Sequence, residues 1–183
     1  FMTLRKHVQH ILQITGKGDY GEVRHMMIMG GGLTTYHVIQ DKPDSVSVKV
    51  IEQIEERCRQ FADMLDDPDV SIIQGDGRDT GMLAEEGLRD MQAFAALTPY
   101  TETNILACLA AKRMGVRKTI AMVENMDYVS LAEKLDIGTI INKKTIAASH
   151  IYQMMLDTDV ANVKCLTIAN ADVAEFIASE GSI

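Results

Sequence analysis

The 183-residue sequence has no tryptophan, three prolines, three cysteines and few aromatic residues (5%). Cys58, Cys108 and Cys165 lie far apart within apolar patterns, so we predict buried thiols rather than a disulfide framework or a zinc site. No apolar run reaches the roughly 18 residues that span a bilayer, and no secretory signal core is visible. These absences predict a soluble, cytosolic chain without direct membrane insertion.

Positive charge is also scarce. The chain has 18 Lys and Arg against 26 Asp and Glu, which gives a formal net charge of −8 and a pI of about 5.1. Neutralising nucleic-acid phosphates requires a surplus of basic side chains, so we exclude a nucleic-acid partner. The hydrophobic share of 46% and the charged share of 24% are typical of a globular protein. Because the chain begins with Phe1-Met2, we expect it to be part of a longer protein.

The sequence divides into three parts. Residues 1–22 predict a helical arm over 2–14 and a glycine-containing linker. From residue 23, short apolar runs alternate with amphipathic helices at 54–65, 101–115, 127–135 and 145–156, and this alternation predicts a parallel sheet covered on both faces. Six strands are predicted, at 23–29, 46–51, 70–73, 93–97, 119–123 and 139–141. The expected fold of residues 23–156 is therefore an α/β, Rossmann-like, doubly wound domain.

The last part, residues 157–183, carries one further strand pattern at 163–168 and a short helical pattern at 172–178. We interpret it as the start of a small carboxyl-terminal α+β subdomain.

A glycine turn follows the first predicted strand. In a doubly wound fold, such a turn holds a pyrophosphate against the amino terminus of the next helix. Gly30 allows the tight turn and Gly32 allows close approach of the backbone to the phosphates. The third glycine of the G-x-G-x-x-G pattern is replaced by Thr35, whose branched Cβ should hold the helix farther from the strand or tilt it. The alternative is a strand-to-helix turn without a ligand.

Glu52 ends the second predicted strand, about 20 residues after Gly32. An acidic side chain at this spacing accepts hydrogen bonds from an adenosine ribose. A carboxylate there also repels a 2′-phosphate, so it favours NAD or ATP over NADP. The alternative is a solvated glutamate at a strand end.

Three further strand ends carry polar residues at the same edge. Asp76 in Gly75-Asp76-Gly77 would bind the adenine or fix its own loop. Thr98, after Leu97, would reach a phosphate or ribose, or cap the turn before Pro99. For Glu124-Asn125 we favour a cap of the following helix.

Catalytic residues are not evident. None of the five tyrosines is followed by lysine four positions later, and no histidine lies at the carboxyl end of a predicted strand. Metal-ligand spacing is also absent. We therefore predict neither an enzyme nor a metal site, and an NAD-dependent oxidoreductase is the least favoured alternative. The predicted helix at 145–156 is strongly apolar although the sheet is already complete. Such a helix either folds back on its own core or packs on another subunit, and we favour the subunit.

An ordered series of motifs resembles the RCK, or KTN (TrkA-N), domain family over about residues 24–156. The motifs are VKVIE (48–52), EERC (55–58), GDGRD (75–79), LAEEGL (83–88), AFAALT (93–98), ETNILA (102–107) and AKRMG (111–115).

The resemblance implies a regulator rather than an enzyme. Potassium-uptake regulators of this family carry two such domains in tandem, each followed by a smaller subdomain, and this chain is similar to the second half of such a protein. The implied assembly is a cytoplasmic ring of dimers beneath a potassium channel or transporter of the inner membrane, gated by NAD(H) or ATP/ADP. The helix at 145–156 would then dimerise.

Carried onto this sequence, the resemblance implies phosphate contacts at Gly30, Gly32, Leu33 and Thr34, ribose at Glu52, and adenine near Asp76-Gly77 with Leu97 and Thr98 alongside. The sequence departs from the family pattern at Leu33-Thr34-Thr35 and at Met122, where many members have arginine. The alternative is a domain that binds no nucleotide and serves as a scaffold of the ring.

Overall fold

The computed structural model describes residues 14, 22–155, 160–166 and 171–176. Of the predicted arm, only Ile14 and Glu22 are among them, so the helix predicted at 2–14 lies almost wholly outside the described residues. None of the helices in this part of the chain combines the length and apolar character needed to cross a bilayer.

Six parallel strands form one sheet in the order β3-β2-β1-β4-β5-β6. The strands are β1 (His25–Met29), β2 (Ser47–Glu52), β3 (Val70–Gln74), β4 (Ala93–Ala96), β5 (Lys118–Met122) and β6 (Thr139–Ile141). The helices between and after them are α1 (Leu33–Gln40), α2 (Glu55–Met64), α3 (Thr80–Glu85), α4 (Thr101–Arg113), α5 (Met126–Lys134) and α6 (Lys143–Met155). This topology confirms the predicted doubly wound, Rossmann-like fold.

The central strands are apolar on both sides because helices cover both faces of the sheet. Phe94 and Met27 are fully buried beneath α3, α4 and α5, together with Cys108 of α4. On the other face, Ile28 and Val50 pack with Phe61 of α2. Side chains on either face of a central strand therefore lie in one of the two apolar cores. For this reason the strands are continuous apolar runs in the sequence.

The sequence pattern did not predict α3. This helix has six residues, too few to show a helical repeat. Asp79 caps its amino terminus, and the Asp79 carboxylate accepts hydrogen bonds from the amides of Gly81 (2.9 Å) and Met82 (3.1 Å). The cap, rather than an apolar stripe, therefore marks this helix in the sequence.

The helix predicted at 172–178 is wrong. Ala171–Phe176 is a strand, β8, which pairs antiparallel with β7 (Val160–Leu166). Helix propensity over so short a segment is a weak preference, and pairing with a neighbouring strand overrides it. The strand predicted at 163–168 overlaps β7. The domain boundaries at residues 22 and 156 remain predictions.

The structure describes the side chains of two of the three cysteines. Cys108 is fully buried, as predicted, and burial raises the pKa of its thiol to about 12. Cys58 is half-buried, and burial together with the nearby charge of Glu52 raises the pKa of its thiol. Neither thiol is therefore poised to ionise at neutral pH. The side chain of Cys165 lies outside the described residues.

Candidate functional site

A cleft of about 260 Å³ lies at the carboxyl ends of the strands. It lies between the neighbouring strands β1 and β4, because the helix that follows β1 packs on one face of the sheet and the helix that follows β4 packs on the other. The glycine turn forms one wall and the ends of β2, β3 and β4 form the others. Seven of the nine residues predicted to bind a nucleotide line it: Gly30, Gly32, Glu52, Asp76, Gly77, Leu97 and Thr98. The strand order therefore brings together residues that are up to 68 positions apart in the sequence.

Gly30 makes the turn that the sequence predicts. Its φ of +106° lies in the region that favours glycine, and its amide donates to the carbonyl of Ile51 (2.8 Å). A Cβ at this position would stand 3.2 Å from Thr98 Cγ2 and 3.3 Å from the carbonyl carbon of Leu97. The turn is thus packed directly against the end of β4, and a side chain there would require its neighbours to shift by a few tenths of an ångström.

The amino terminus of α1 is open. Gly32 precedes the helix without a side-chain cap, the first turn has no acidic residue, and a Cβ on Gly32 would meet no atom within 4 Å. Among the described residues, the amides of Gly32, Leu33 and Thr34 have no acceptor. Unbonded amides at a helix start, next to open space, form an anion site.

Leu33 and Thr34 do not line the cleft. The Leu33 side chain is 68% exposed and that of Thr34 is half-buried. The structure therefore places neither of these two predicted residues in the wall of the cleft.

Thr35 occupies the place of the third glycine and is fully buried. Its hydroxyl donates to the carbonyl of Gly30 (2.5 Å) and so bonds the start of α1 to the turn. The hydroxyl therefore satisfies a carbonyl of the turn.

Glu52 is only 6% exposed, so it is not the solvated glutamate of the alternative interpretation. One carboxylate oxygen accepts from the amide of Gly31 (2.8 Å), and the other accepts from the amide of Ile54 (3.0 Å). The carboxylate thus bonds the glycine turn to the end of β2. A carboxylate has about four acceptor positions, and these two bonds leave others for ribose hydroxyls.

Asp76 fixes its own loop. Its carboxylate accepts from the Arg78 guanidinium (2.6 Å to Nη2, 2.9 Å to Nε) and from the Arg78 amide (3.0 Å). The hydrogen bonds from Arg78 hold the pKa of this carboxyl below its usual range. Gly77 packs against Met29, so the loop lies close to the end of β1.

Two arginines at the cleft were missed by the sequence reasoning. Arg57, in the first turn of α2, and Arg78 both line it and are exposed. Their positions shortly after two strand ends were the available signal, because residues there reach the carboxyl edge of the sheet. Arg57 adds positive charge to the wall of the cleft, whereas the charge of Arg78 is paired with that of Asp76.

Thr98 belongs to a buried hydrogen-bond network that the sequence reasoning also missed. Its hydroxyl donates to Asn104 Oδ1 (2.6 Å) and accepts from the Tyr100 amide (3.2 Å), so it caps the turn before α4. Asn104 is fully buried on α4. An asparagine on the apolar side of a predicted helix was the signal for a buried polar contact.

Asn125 caps α5, as the sequence predicts, with its side chain accepting from the Asp127 amide (3.0 Å).

In the described part of the chain, no three His, Cys, Asp or Glu residues come together in a way that could hold a metal ion. At the cleft, open amides and the exposed Arg57 suit phosphates, and a buried carboxylate suits ribose hydroxyls. These groups fit an adenine nucleotide.

Comparisons with known proteins identify relatives of this chain in sequence and in fold. The sequence model of the TrkA-N domain family matches residues 26–143. Trk system potassium uptake protein TrkA homolog 2 of Methanosarcina mazei is 30% identical over 165 residues, covering 88% of this chain and 36% of that protein.

Among solved structures, the GsuK channel bound to NAD matches with a TM-score of 0.59 at 13% identity, covering 78% of this chain and 27% of that chain. GsuK bound to ADP matches with a TM-score of 0.58 at 15% identity, covering 72% of this chain and 34% of that chain. At such identities the structural matches show a shared fold. The chain spans little more than a third of the length of the curated relative.

Proposed function

Because this chain belongs to the TrkA-N domain family, as its motifs predict, we propose that it is a nucleotide-sensing regulatory domain of a Trk-type potassium-uptake system. The observation that carries the proposal is the open amino terminus of α1 facing the cleft that Glu52 also lines. A phosphate group and a ribose of one molecule are bound by these two features in a doubly wound fold.

The proposed site uses the residues predicted from the sequence. The backbone at Gly30, Gly32, Leu33 and Thr34 holds the phosphates, and Glu52 holds the ribose. The adenine lies near Asp76 and Gly77, with Leu97 and Thr98 on the opposite wall. Arg57 adds attraction for the phosphates at the rim. The bound nucleotide supplies no chemistry in this role, because it acts as a signal.

NAD(H) or ATP/ADP is the proposed ligand. The carboxylate of Glu52 disfavours NADP through repulsion of the 2′-phosphate. The volume of about 260 Å³ is slightly below the usual range for small-molecule sites. A cleft of this size does not enclose a whole dinucleotide, so we propose that only the adenosine half of NAD would lie inside it.

The proposed partners are further copies of this chain, arranged as dimers in a ring, and the membrane subunit of a potassium channel or transporter. The domain would then be cytoplasmic, at the inner membrane only through that subunit. A nucleotide changes the ring by binding one arrangement of subunits more tightly than another. The names of the relatives support this role, and we propose no catalytic reaction.

Calorimetric titration with NAD, NADH, ADP and ATP tests the binding proposal, with Gly32→Asp and Gly32→Asn as a matched pair. Both side chains cap α1, and both replace a glycine with open space around its Cα, so neither should destabilise the fold. Only aspartate repels phosphates. We expect Gly32→Asp to weaken binding at least about tenfold more than Gly32→Asn, equivalent to about 1.4 kcal/mol.

If none of the four nucleotides binds to the wild-type chain, the proposal is contradicted. It would favour the second candidate, a scaffold domain of the ring. One observation supports that candidate: Glu52 already bonds the turn to β2, and Thr35 bonds the turn to α1, so the loop is held without a ligand.

A further inference from the structure

Buried polar side chains connect the carboxyl ends of β4, β5 and β6. Asn104 of α4 is fully buried and Asn142, just after β6, is 4% exposed. Burying a polar side chain destabilises the folded state unless each of its hydrogen-bonding atoms has a partner. Within the described residues, every buried side-chain nitrogen and oxygen has one.

Asn104 joins the cleft to β5. Its Oδ1 accepts from the hydroxyl (2.6 Å) and the amide (3.2 Å) of Thr98, which lines the cleft. Its Nδ2 donates to the carbonyl of Thr98 (2.7 Å) and to the carbonyl of Met122, the last residue of β5 (2.8 Å). One rigid amide group therefore fixes the distance between the two strand ends.

Asn142 joins β5 to α6 from the other side. Its Nδ2 donates to the carbonyl of Val123 (2.6 Å), the residue next to Met122. Its Oδ1 accepts from the amides of Lys144 (2.9 Å) and Thr145 (3.1 Å), so the same side chain caps the first turn of α6.

Two consecutive carbonyls, those of Met122 at the end of β5 and of Val123 just after it, are thus held by two buried amide side chains, one from the cleft side and one from the α6 side. We propose that Asn104 is a positioning residue that couples the nucleotide cleft to the first turn of α6 through these carbonyls and Asn142. The role of the nucleotide in this coupling rests on the function proposed above. The hydrogen-bonded link between the cleft and α6 does not depend on that function.

The link has a consequence because α6 has no buried side chain among its described residues. Ile146, Ile151, Met154 and Met155 are all more than half exposed. A displacement of its first turn would therefore change how this helix presents its apolar residues to anything that packs on it.

Hydrogen exchange of the Lys144 and Thr145 amides tests the link without a nucleotide. We compare wild type with Asn104→Ala and with Thr119→Val, a control that removes an equally buried hydrogen bond, from Thr119 to the Ile137 carbonyl. After correction for global stability, Asn104→Ala should accelerate exchange at the two amides about tenfold more than Thr119→Val. Equal acceleration by both variants would overturn the inference.

A reciprocal variant covers the case in which Asn104→Ala does not fold. Asn142→Ala should accelerate exchange of the Thr98 amide, which Asn104 holds, and an unchanged rate there would overturn the link. Adding ADP to the wild type then separates the two proposals. ADP that binds without slowing exchange at Lys144 and Thr145 overturns the coupling, whereas ADP that does not bind overturns the proposed function and leaves the ligand-free comparison to decide the link.

Discussion

The carboxyl edge of the sheet is open on one half and closed on the other. At the ends of β1 and β2, the glycine turn leaves the start of α1 uncapped and next to open space. At the ends of β4, β5 and β6, the side chains of Asn104 and Asn142 fill the edge and bond its carbonyls. Both halves have the same strand-to-helix architecture.

The two halves differ in which groups form hydrogen bonds with the backbone amides and carbonyls at the strand ends. In the closed half, side chains of the chain itself supply the partners, so that edge contributes to stability. In the open half, amides at the start of α1 keep no partner among the described residues, so that edge is available to a ligand. Substitutions in the closed half should therefore reduce mainly stability, and those in the open half mainly binding.

The largest expected effect on stability is that of Asn104→Ala, in the closed half. It leaves the carbonyls of Thr98 and Met122 without their donor inside the protein and creates a cavity, so we expect a loss of about 3 kcal/mol in the free energy of unfolding. Glu52→Ala, whose site opens to the cleft and to water, should lose only about 1 kcal/mol but should also weaken any adenosine ligand. Urea denaturation and calorimetry measure the two quantities, and equal stability losses would break the comparison.

Gly30→Ala should combine both kinds of effect. Gly115 has a similar φ of +102° but nothing within 4 Å of a Cβ, so Gly115→Ala isolates the cost of the backbone conformation. We expect about 1 kcal/mol of destabilisation for Gly115→Ala and about 2 to 3 kcal/mol for Gly30→Ala, since the latter also meets the end of β4. Only Gly30→Ala should abolish nucleotide binding. Similar denaturation midpoints for the two variants would show that the turn shifts to accommodate the added Cβ, which would contradict the expected steric cost.

Thr35→Val should cost about 1 kcal/mol, because it keeps the side-chain volume but removes the donor to the Gly30 carbonyl. Thr35→Ser keeps the hydroxyl and is the matched control. Thermal or urea unfolding of both variants distinguishes a role of the hydroxyl from a role of the methyl group, and a serine variant less stable than the valine variant would argue for the methyl group.

Arg78→Gln should have the smallest effect on stability, since the pair with Asp76 is exposed to solvent. Arg78 lowers the pKa of Asp76, so this carboxylate favours the folded state above its ordinary pKa, and that contribution is lost as the pH falls through the lowered value. In Arg78→Gln we expect the pKa of Asp76 to return upward, as measured by NMR titration. An unmoved pKa would assign the shift to the loop backbone instead.

Much of the fold could be predicted because its local signals agree. Strands buried on both faces are apolar throughout, and helices such as α2 and α5 repeat their apolar residues with a helical period. The six-residue helix α3 carried too little pattern, and the segment at 172–178 looked helical because propensity cannot weigh a partner strand. The positions that line the cleft were predictable where spacing is diagnostic, as for Gly30, Gly32 and Glu52, and their role in binding stays a prediction.

The amino-acid sequence by itself determined the alternation of strands and helices, the place of the glycine turn and the acidic residue about 20 positions beyond Gly32. Only the tertiary structure decided what those polar groups contact. Asn104 meets Met122, 18 residues away, and Glu52 meets Gly31, 21 residues away. Hydrogen bonds depend on distance and direction in space, and adjacent strand ends bring such residues together only after the sheet has formed.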